Sequence, residues 1–309
     1  MNEFELINRY FNWPLSDPSI ELGVGDDAAL FEIDADCQLV TSTDTLSEGV
    51  HFFKDALPGD IAYKSLAVNL SDIAAMGAKA KYFTLSLTLP KLDEIWLKEF
   101  SESLKEASEF FKVSLIGGDT TKGPLNITIT IMGVVKKSKA IKRSGAKNGD
   151  DIYVSGDIGD AALCLKKINE GIKPNSSELN KLNQPVPRVK LGPSLINIAS
   201  ACIDVSDGLE QDLTHILRAS KVGAIIDSQN LPLSDSVQDY LKTSQDLGLP
   251  LCGGDDYELC FTSDQSHQME IKKLSESLNI RITKIGVINN SQTLEIRGYE
   301  GSSKSYQHF

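Results

Sequence analysis

Histidine is scarce in this 309-residue chain: there are four, beside two tryptophans and five cysteines. The cysteines, Cys37, Cys164, Cys202, Cys252 and Cys260, are odd in number and form no CxxC pair. That argues against a structural zinc site and for reduced thiols rather than a disulfide framework. No apolar run approaches the roughly 18 residues that span a bilayer. The opening MNEFELINRYF lacks a basic stretch leading into an apolar core, so a cytoplasmic location is expected. There is no GxxxxGK[ST] loop and no HRD-type kinase loop. Positive charge is in deficit as well: 31 Lys and Arg stand against 43 Asp and Glu, a formal net charge of −12. Such a surface repels nucleic acid and anionic membranes, so neither is an expected partner. A polyanion could still bind if metal ions stood between it and the protein.

Hydrophobic residues make up 41% and charged residues 24%, which is ordinary for a globular protein, and the length favours two domains over one. Alternation predicts strands at QLVTSTDTL (38–46), KYFTLSLTLP (81–90) and LNITITIMGVV (125–135). GDIAYKSLAVNLSDIAAMGA (59–78) reads as a helix with Asp60 as N-cap, and 92–111 as an amphipathic helix. On the first of these, Ala62, Ser65, Asn69, Asp72 and Met76 share one face. VSLIGGDTTKG (113–123) reads as a short strand breaking into a glycine turn.

A basic stretch at 136–151 marks a domain junction, giving domains at 1–140 and 141–309. Beyond it, 151–165 and 201–220 each read as strand, turn and helix, and 171–190 as an exposed connection. Further strands are expected at 222–227, 257–263 and 282–288.

GVGDDAAL (23–30) sets two carboxylates, Asp26 and Asp27, side by side behind glycines. Adjacent like charges are unfavourable in a compact turn unless something neutralises them. Asp44, Asp72, Asp119, Asp204, Asp207, Asp255 and Asp256 add to the set. Any one of them is explained by the liking of turns for Asp. Together, in STD, GGD, DVSDG and GGDDY, they look like strand-end ligand sites of an open α/β fold. An all-oxygen donor set suits Mg²⁺ bridging to phosphate. DVSDG lacks the ligand spacing of an EF-hand. His51 near aromatics is ordinarily a packing residue. Arg143 is ordinarily solvated, yet becomes a candidate clamp if a polyphosphate binds. His215, on a helix, reads as structural.

The ordered set GVGDDAAL, TSTDTLSEGVHF, KSLAVNLSDIAAMGA, LIGGDTTKGPL, RSGAKNGD, IDVSDGL and GGDDYELCF resembles the bacterial thiamine-monophosphate kinase family. The resemblance runs from about residue 4 to the C-terminus. It implies a two-domain aminoimidazole ribonucleotide synthetase-like fold of mixed α/β sheets. In that fold the N-terminal sheets of a homodimer form a barrel, and ATP with several Mg²⁺ ions lies in the interdomain cleft. It further implies that Asp27, Ser42, Thr43, Asp44, Asp72, Asp119, Asp204 and Asp207 ligate Mg²⁺. Gly118, Asp119, Arg143 and Ser206 would contact ATP; His51, Asp255 and Tyr306 would contact thiamine monophosphate. No general base is assigned. Asp255 stands where the family commonly has Glu, and NQPVPR (183–188) lacks the histidine usual before those prolines.

The implied reaction moves the γ-phosphoryl of ATP onto thiamine monophosphate, a step of thiamine diphosphate biosynthesis. Other enzymes of the same superfamily fit less well. No reactive cysteine sits in an N-terminal glycine-rich loop, as selenophosphate synthetase would need, and SYQHF carries no terminal cysteine, as the hydrogenase maturation factor would. A non-catalytic nucleotide- or Mg-binding module is the alternative of a different class.

Overall fold

The computed structural model describes residues 2–25, 27–299 and 301. Its chain divides into two compact units: Met1–Ile73 with Ala78–Ser138, and Ala74–Gly77 with Lys139–Phe309.

In chain order the first stretch holds α1 (Glu3–Tyr10), β1 (Ile20–Leu22), β2 (Leu30–Phe31), β3 (Cys37–Ser47) and α2 (Pro58–Ala75). β4 (Lys79–Leu89), α3 (Glu94–Phe111), β5 (Ser114–Lys122) and β6 (Asn126–Lys136) follow. Four strands form one sheet in the order β3-β6-β4-β5. β6 runs antiparallel to both β3 and β4, while β4 and β5 are parallel, joined through α3. α2 lies over this sheet closely enough that a Cβ on Gly133 of β6 would meet Ile73 Cγ2 at 2.7 Å. The alternation of β6 buries Ile127, Ile129 and Ile131 on one face. α3 starts on Asp93, whose carboxylate accepts from Trp96 N at 3.2 Å, and ends on Lys112 in the left-handed region. Between these caps it buries Leu97, Phe100, Leu104 and Ala107, spaced as a helix face requires.

Three expectations are corrected here. Asp60 is not an N-cap: the helix begins at Pro58, whose fixed φ suits a first turn, and Asp60 lies inside that turn. STD lies in mid-β3 rather than at a strand end. GGD is likewise inside β5, which runs on to Lys122 without breaking into a turn. The glycines there serve a bulge and a close approach. Ile116 is an extra residue between the Phe83–Leu115 and Thr84–Gly117 pairs, and a Cβ on Gly118 would lie 1.9 Å from Leu85 O.

The second unit holds β7 (Asp151–Ser155), α4 (Asp160–Asn169), α5 (Ser176–Asn183), α6 (Leu191–Ser194), β8 (Ala199–Val205), α7 (Leu209–Ser220) and β9 (Gly223–Asp227). α8 (Asp235–Ser244), α9 (Gly248–Cys252), β10 (Glu258–Ser263), α10 (Gln268–Leu278), β11 (Ile282–Asn289) and β12 (Leu294–Arg297) complete it. Its sheet has the order β12-β9-β11-β7-β10-β8, antiparallel except for the β12–β9 pair. Both faces are covered, which is why DIYVS and ACIDV read as unbroken buried runs rather than alternating ones. Ile152, Val154, Ile203 and Val205 pack with Leu213 and Ile216 of α7 on one side. Tyr153, Cys202 and Phe261 pack with Leu191, Leu195 and Ile271 on the other.

The expected open connection at 171–190 is corrected in part, since it contains α5. That helix opens with a capping box between Asn175 and Glu178. Glu178 is buried against Lys167 at 2.5 Å, and Leu182 is buried with Ala161 and Cys164.

Candidate active site

The two units each carry one set of the candidate residues, described in turn. In the first unit, α2 offers its small polar face to β3. Ser42 Oγ donates to Asp72 Oδ2 at 2.5 Å, and Asn69 Oδ1 accepts from Asp44 N at 3.2 Å. Asn69 is itself fully buried and donates from Nδ2 to Ser65 O at 2.9 Å, so its amide orientation is fixed from both ends. The Asp44 carboxyl shares a hydrogen bond with Asp72. Burial first, and the Asp72 charge second, push Asp44 up to about 7. Two carboxyls in contact cannot both ionise cheaply away from bulk water. Asp72 and Ser42 meet because β3 alternates and α2 repeats every 3.6 residues.

Thr43 is placed differently. Its side chain takes the opposite, solvent-facing side of β3 and bonds Thr130 Oγ1 at 2.9 Å; Thr45 does the same with Thr128 at 2.8 Å. A part for Thr43 in ion binding therefore falls to its backbone. His51, in the loop after β3, accepts from Ser47 N through Nδ1 at 3.0 Å. An accepting Nδ1 is unprotonated, which places the ring hydrogen on Nε2.

Asp27, Gly118 and Asp119 line one cleft of about 620 Å³, shared with Asn8 and Phe11 of α1 and Thr84 of β4. The cleft sets these two carboxylates beside an apolar wall that includes Phe11, Leu115 and Ile116.

In the second unit, β8 delivers Asp204, which is buried, into the turn Ser206–Asp207–Gly208 ahead of α7. Ser206 N and Asp207 N both donate to Asp212 Oδ2 at 3.0 Å, and Gln211 Nε2 donates to Asp207 Oδ2 at 2.9 Å. Asp212 is pushed up to about 7, by burial above all. Arg143 lies near enough for its charge to act on Asp212 and His215. His215 is thus drawn into this charged group, its pKa lowered by burial and by Arg143 and Arg218.

The loop GGDDY returns to the same turn: Asp255 N donates to Ser206 O and Tyr257 N to Val205 O, each at 2.8 Å. Asp256 Oδ1 accepts from Gly159 N at 2.9 Å, while its buried Oδ2 has no hydrogen-bond partner among the described residues. Burial, then the neighbouring Glu258, Asp160 and Asp255, push Asp256 well above the usual carboxylate range.

Asp212, which accepts from the Ser206 and Asp207 amides, and Glu258, which follows the GGDDY loop, were passed over by the motif reading. Asp212 had a signal: an acid four residues after a Gly, in a helix first turn, is placed to cap the preceding backbone amides. Tyr306 lies outside the described residues, as does Asp26. None of the five cysteines is in a disulfide.

Residues 25–135 match the AIR synthase related protein N-terminal domain, and 147–298 the corresponding C-terminal domain. The chain is 46% identical over 294 residues to the thiamine-monophosphate kinase of Haemophilus influenzae, covering 94% of this chain and 90% of that one. The thiamine-monophosphate kinase structure from Stenotrophomonas maltophilia is 42% identical with a TM-score of 0.90, covering 97% of this chain and 98% of that one. A structure described as AaThiL complexed with AMPPCP and TMP is 28% identical with a TM-score of 0.81, covering 99% and 96%. The fold is therefore the two-domain, mixed-sheet AIR synthase-like one, and by identity sustained over nearly the whole of both chains this protein belongs to the thiamine-monophosphate kinase family.

Proposed function

We propose that the chain phosphorylates thiamine monophosphate at the expense of ATP, yielding thiamine diphosphate and ADP by direct in-line transfer. The observation that carries this reading is the half-buried Asp44–Asp72 pair, with Ser42 donating into it. Two carboxyls forced together, one of them lifted to about 7, form a place that a cation relieves. The donors around it are oxygens only, which suits Mg²⁺. Ser42, Asp44, Asp72, Asp27, Asp119 and the Thr43 backbone would hold such ions in the first unit, and Asp204 and Asp207 in the second. Bound Mg²⁺ supplies charge neutralisation of the phosphate oxygens.

The protein's own groups bind and orient. Gly118, Asp119, Arg143 and Ser206 take ATP; His51, Asp255 and Tyr306 take the acceptor. The His51 ring is held in the loop after β3 by the Ser47 amide, which donates to Nδ1. No general base is required, because the acceptor phosphate is already ionised near neutral pH, and positioning carries the rate. A homodimer formed through the first unit's sheet agrees with β3 being an edge strand whose outer face presents a threonine ladder. A cytoplasmic setting agrees with cysteines that form no disulfide and with no described helix being long and apolar enough to cross a membrane.

The test is turnover. Wild-type protein with ATP, Mg²⁺ and thiamine monophosphate is expected to give thiamine diphosphate and ADP in equal amounts. Asp44→Asn and Asp72→Asn are expected to lose at least about a hundredfold in rate while keeping the wild-type circular dichroism spectrum. Wild-type turnover in both variants would falsify the metal-cluster reading; ADP formation without thiamine diphosphate would reject the acceptor.

A further inference from the structure

NQPVPR ends in an arginine that is not on the surface. The Arg188 side chain is 15% exposed and its partner, Glu258, 5%. The guanidinium meets that carboxylate with both arms: Nε donates to Oε2 at 2.5 Å and Nη2 to Oε1. Ser155 Oγ donates to Oε2 at 2.6 Å and itself accepts from Leu259 N at 2.9 Å. The backbone makes room for this pair. Gly156 sits at φ +59°, and a Cβ there would lie 1.9 Å from Glu258 Oε1 and 2.6 Å from Arg188 Nη2. A buried ion pair returns little net stability, because desolvation offsets its attraction. What it does supply is a fixed geometry at one residue.

That residue is the first of β10, immediately after Asp255–Asp256–Tyr257. Asp255 and Tyr257 both hold left-handed backbone, at φ +70° and +52°. Such conformations are unfavourable for residues with a Cβ and persist only where the surroundings impose them. The Tyr257 hydroxyl donates to Asp255 Oδ1 at 3.0 Å. Asp255 is a short side chain, so its carboxylate has little reach of its own. Where it sits is decided by the backbone that carries it and by the tyrosine that holds it.

We propose that Arg188, acting through Glu258, and Tyr257, acting through its hydroxyl, are positioning residues that set the Asp255 carboxylate for the acceptor, a cationic heteroaromatic phosphate. The inference rests on the reading of Asp255 as an acceptor contact. The ion pair anchors the downstream end of the loop, the 205–206 carbonyls anchor its middle, and the tyrosine fixes the carboxylate. Lysine does not replace Arg188, because it keeps the charge and loses the two-armed contact.

Steady-state kinetics of the full chain test this with Arg188→Lys, Tyr257→Phe and Asp255→Ala, alone and combined. Tyr257→Phe removes one oxygen from a half-buried ring and leaves the loop backbone bonds in place. Each single variant is expected to raise KM for thiamine monophosphate about tenfold, the equivalent of one charge-assisted hydrogen bond. KM for ATP should stay within about twofold. In the Asp255→Ala background, Arg188→Lys and Tyr257→Phe should add nothing, since each acts through the missing carboxylate. Equal rises in both KM values, or undiminished effects in that background, overturn the positioning role. If Asp255→Ala alone moves the acceptor KM while the other two are inert, the positioning role fails and the Asp255 reading stands. If Asp255→Ala moves nothing, the reading beneath the inference falls with it.

Discussion

Asp44 concentrates the chemistry of the first unit in one side chain, and its protonation has a sign that can be worked out. Its folded pKa is lifted from 3.8 to about 7, chiefly by burial and then by Asp72. A raised carboxyl favours the folded state when protonated. The contribution is full below about pH 4 and is lost as pH climbs through about 7. Asp212, lifted to about 7 by burial, acts in the same direction. The metal-free protein is therefore expected to lose on the order of 1–3 kcal/mol per group between pH 5 and 8, up to about 5 kcal/mol for the two together, read as a fall in urea midpoint with chelator present. Asp44→Asn should flatten part of that slope, and Mg²⁺ should flatten it in the wild type. An unchanged midpoint across this range would refute the strained-pair account.

At the scale of elements, stability and site are served by different faces of the same segments. α7 turns Leu209, Leu213, Ile216 and Leu217 into the core while its first turn holds the Ser206–Asp207 amides through Asp212. Leu213→Ala should cost about 2–5 kcal/mol in a denaturant titration, with KM values unchanged in the protein that remains folded. Asn175→Ala removes one half of the α5 capping box and should cost about 1 kcal/mol, again without touching KM.

The long, strongly periodic elements were legible: β3, β4, β6, α2 and α3 follow from alternation and from apolar spacing. The short ones were not. β1, β2 and β12 have two to four residues and carry too little pattern to read. β5 was misread because a glycine pair signals a turn in sequence, whereas here it answers the Leu85 carbonyl of a neighbouring strand. α5 was missed because its buried contacts are few and its sequence polar; only the Asn175–Glu178 spacing announced it.

For the whole molecule, aspartate motifs in sequence order named a family, since spacing of that length does not recur by chance. They could not reveal which carboxylates touch. That Ser42 and Asp44 face Asp72 while Thr43 faces away depends on the pleat of β3. The Arg188–Glu258 contact was invisible for a plainer reason: 70 residues separate partners whose types are individually unremarkable.

The strand order of the second sheet carries a consequence for biosynthesis. The first sheet has all its strands once residue 136 is made. β7, by contrast, is made by residue 155 but pairs only with β10 and β11, which begin at residues 258 and 282. On the ribosome the N-terminal half is thus able to close early, while DIYVS, an apolar segment, emerges more than a hundred residues ahead of its neighbours. Nascent chains arrested with about 200 residues exposed should protect β3, β4 and β6 from protease and leave β7 cleavable, with protection of β7 arriving only after β11 is out. A chaperone that shields short apolar segments should engage this protein in that interval and release it when translation is nearly complete.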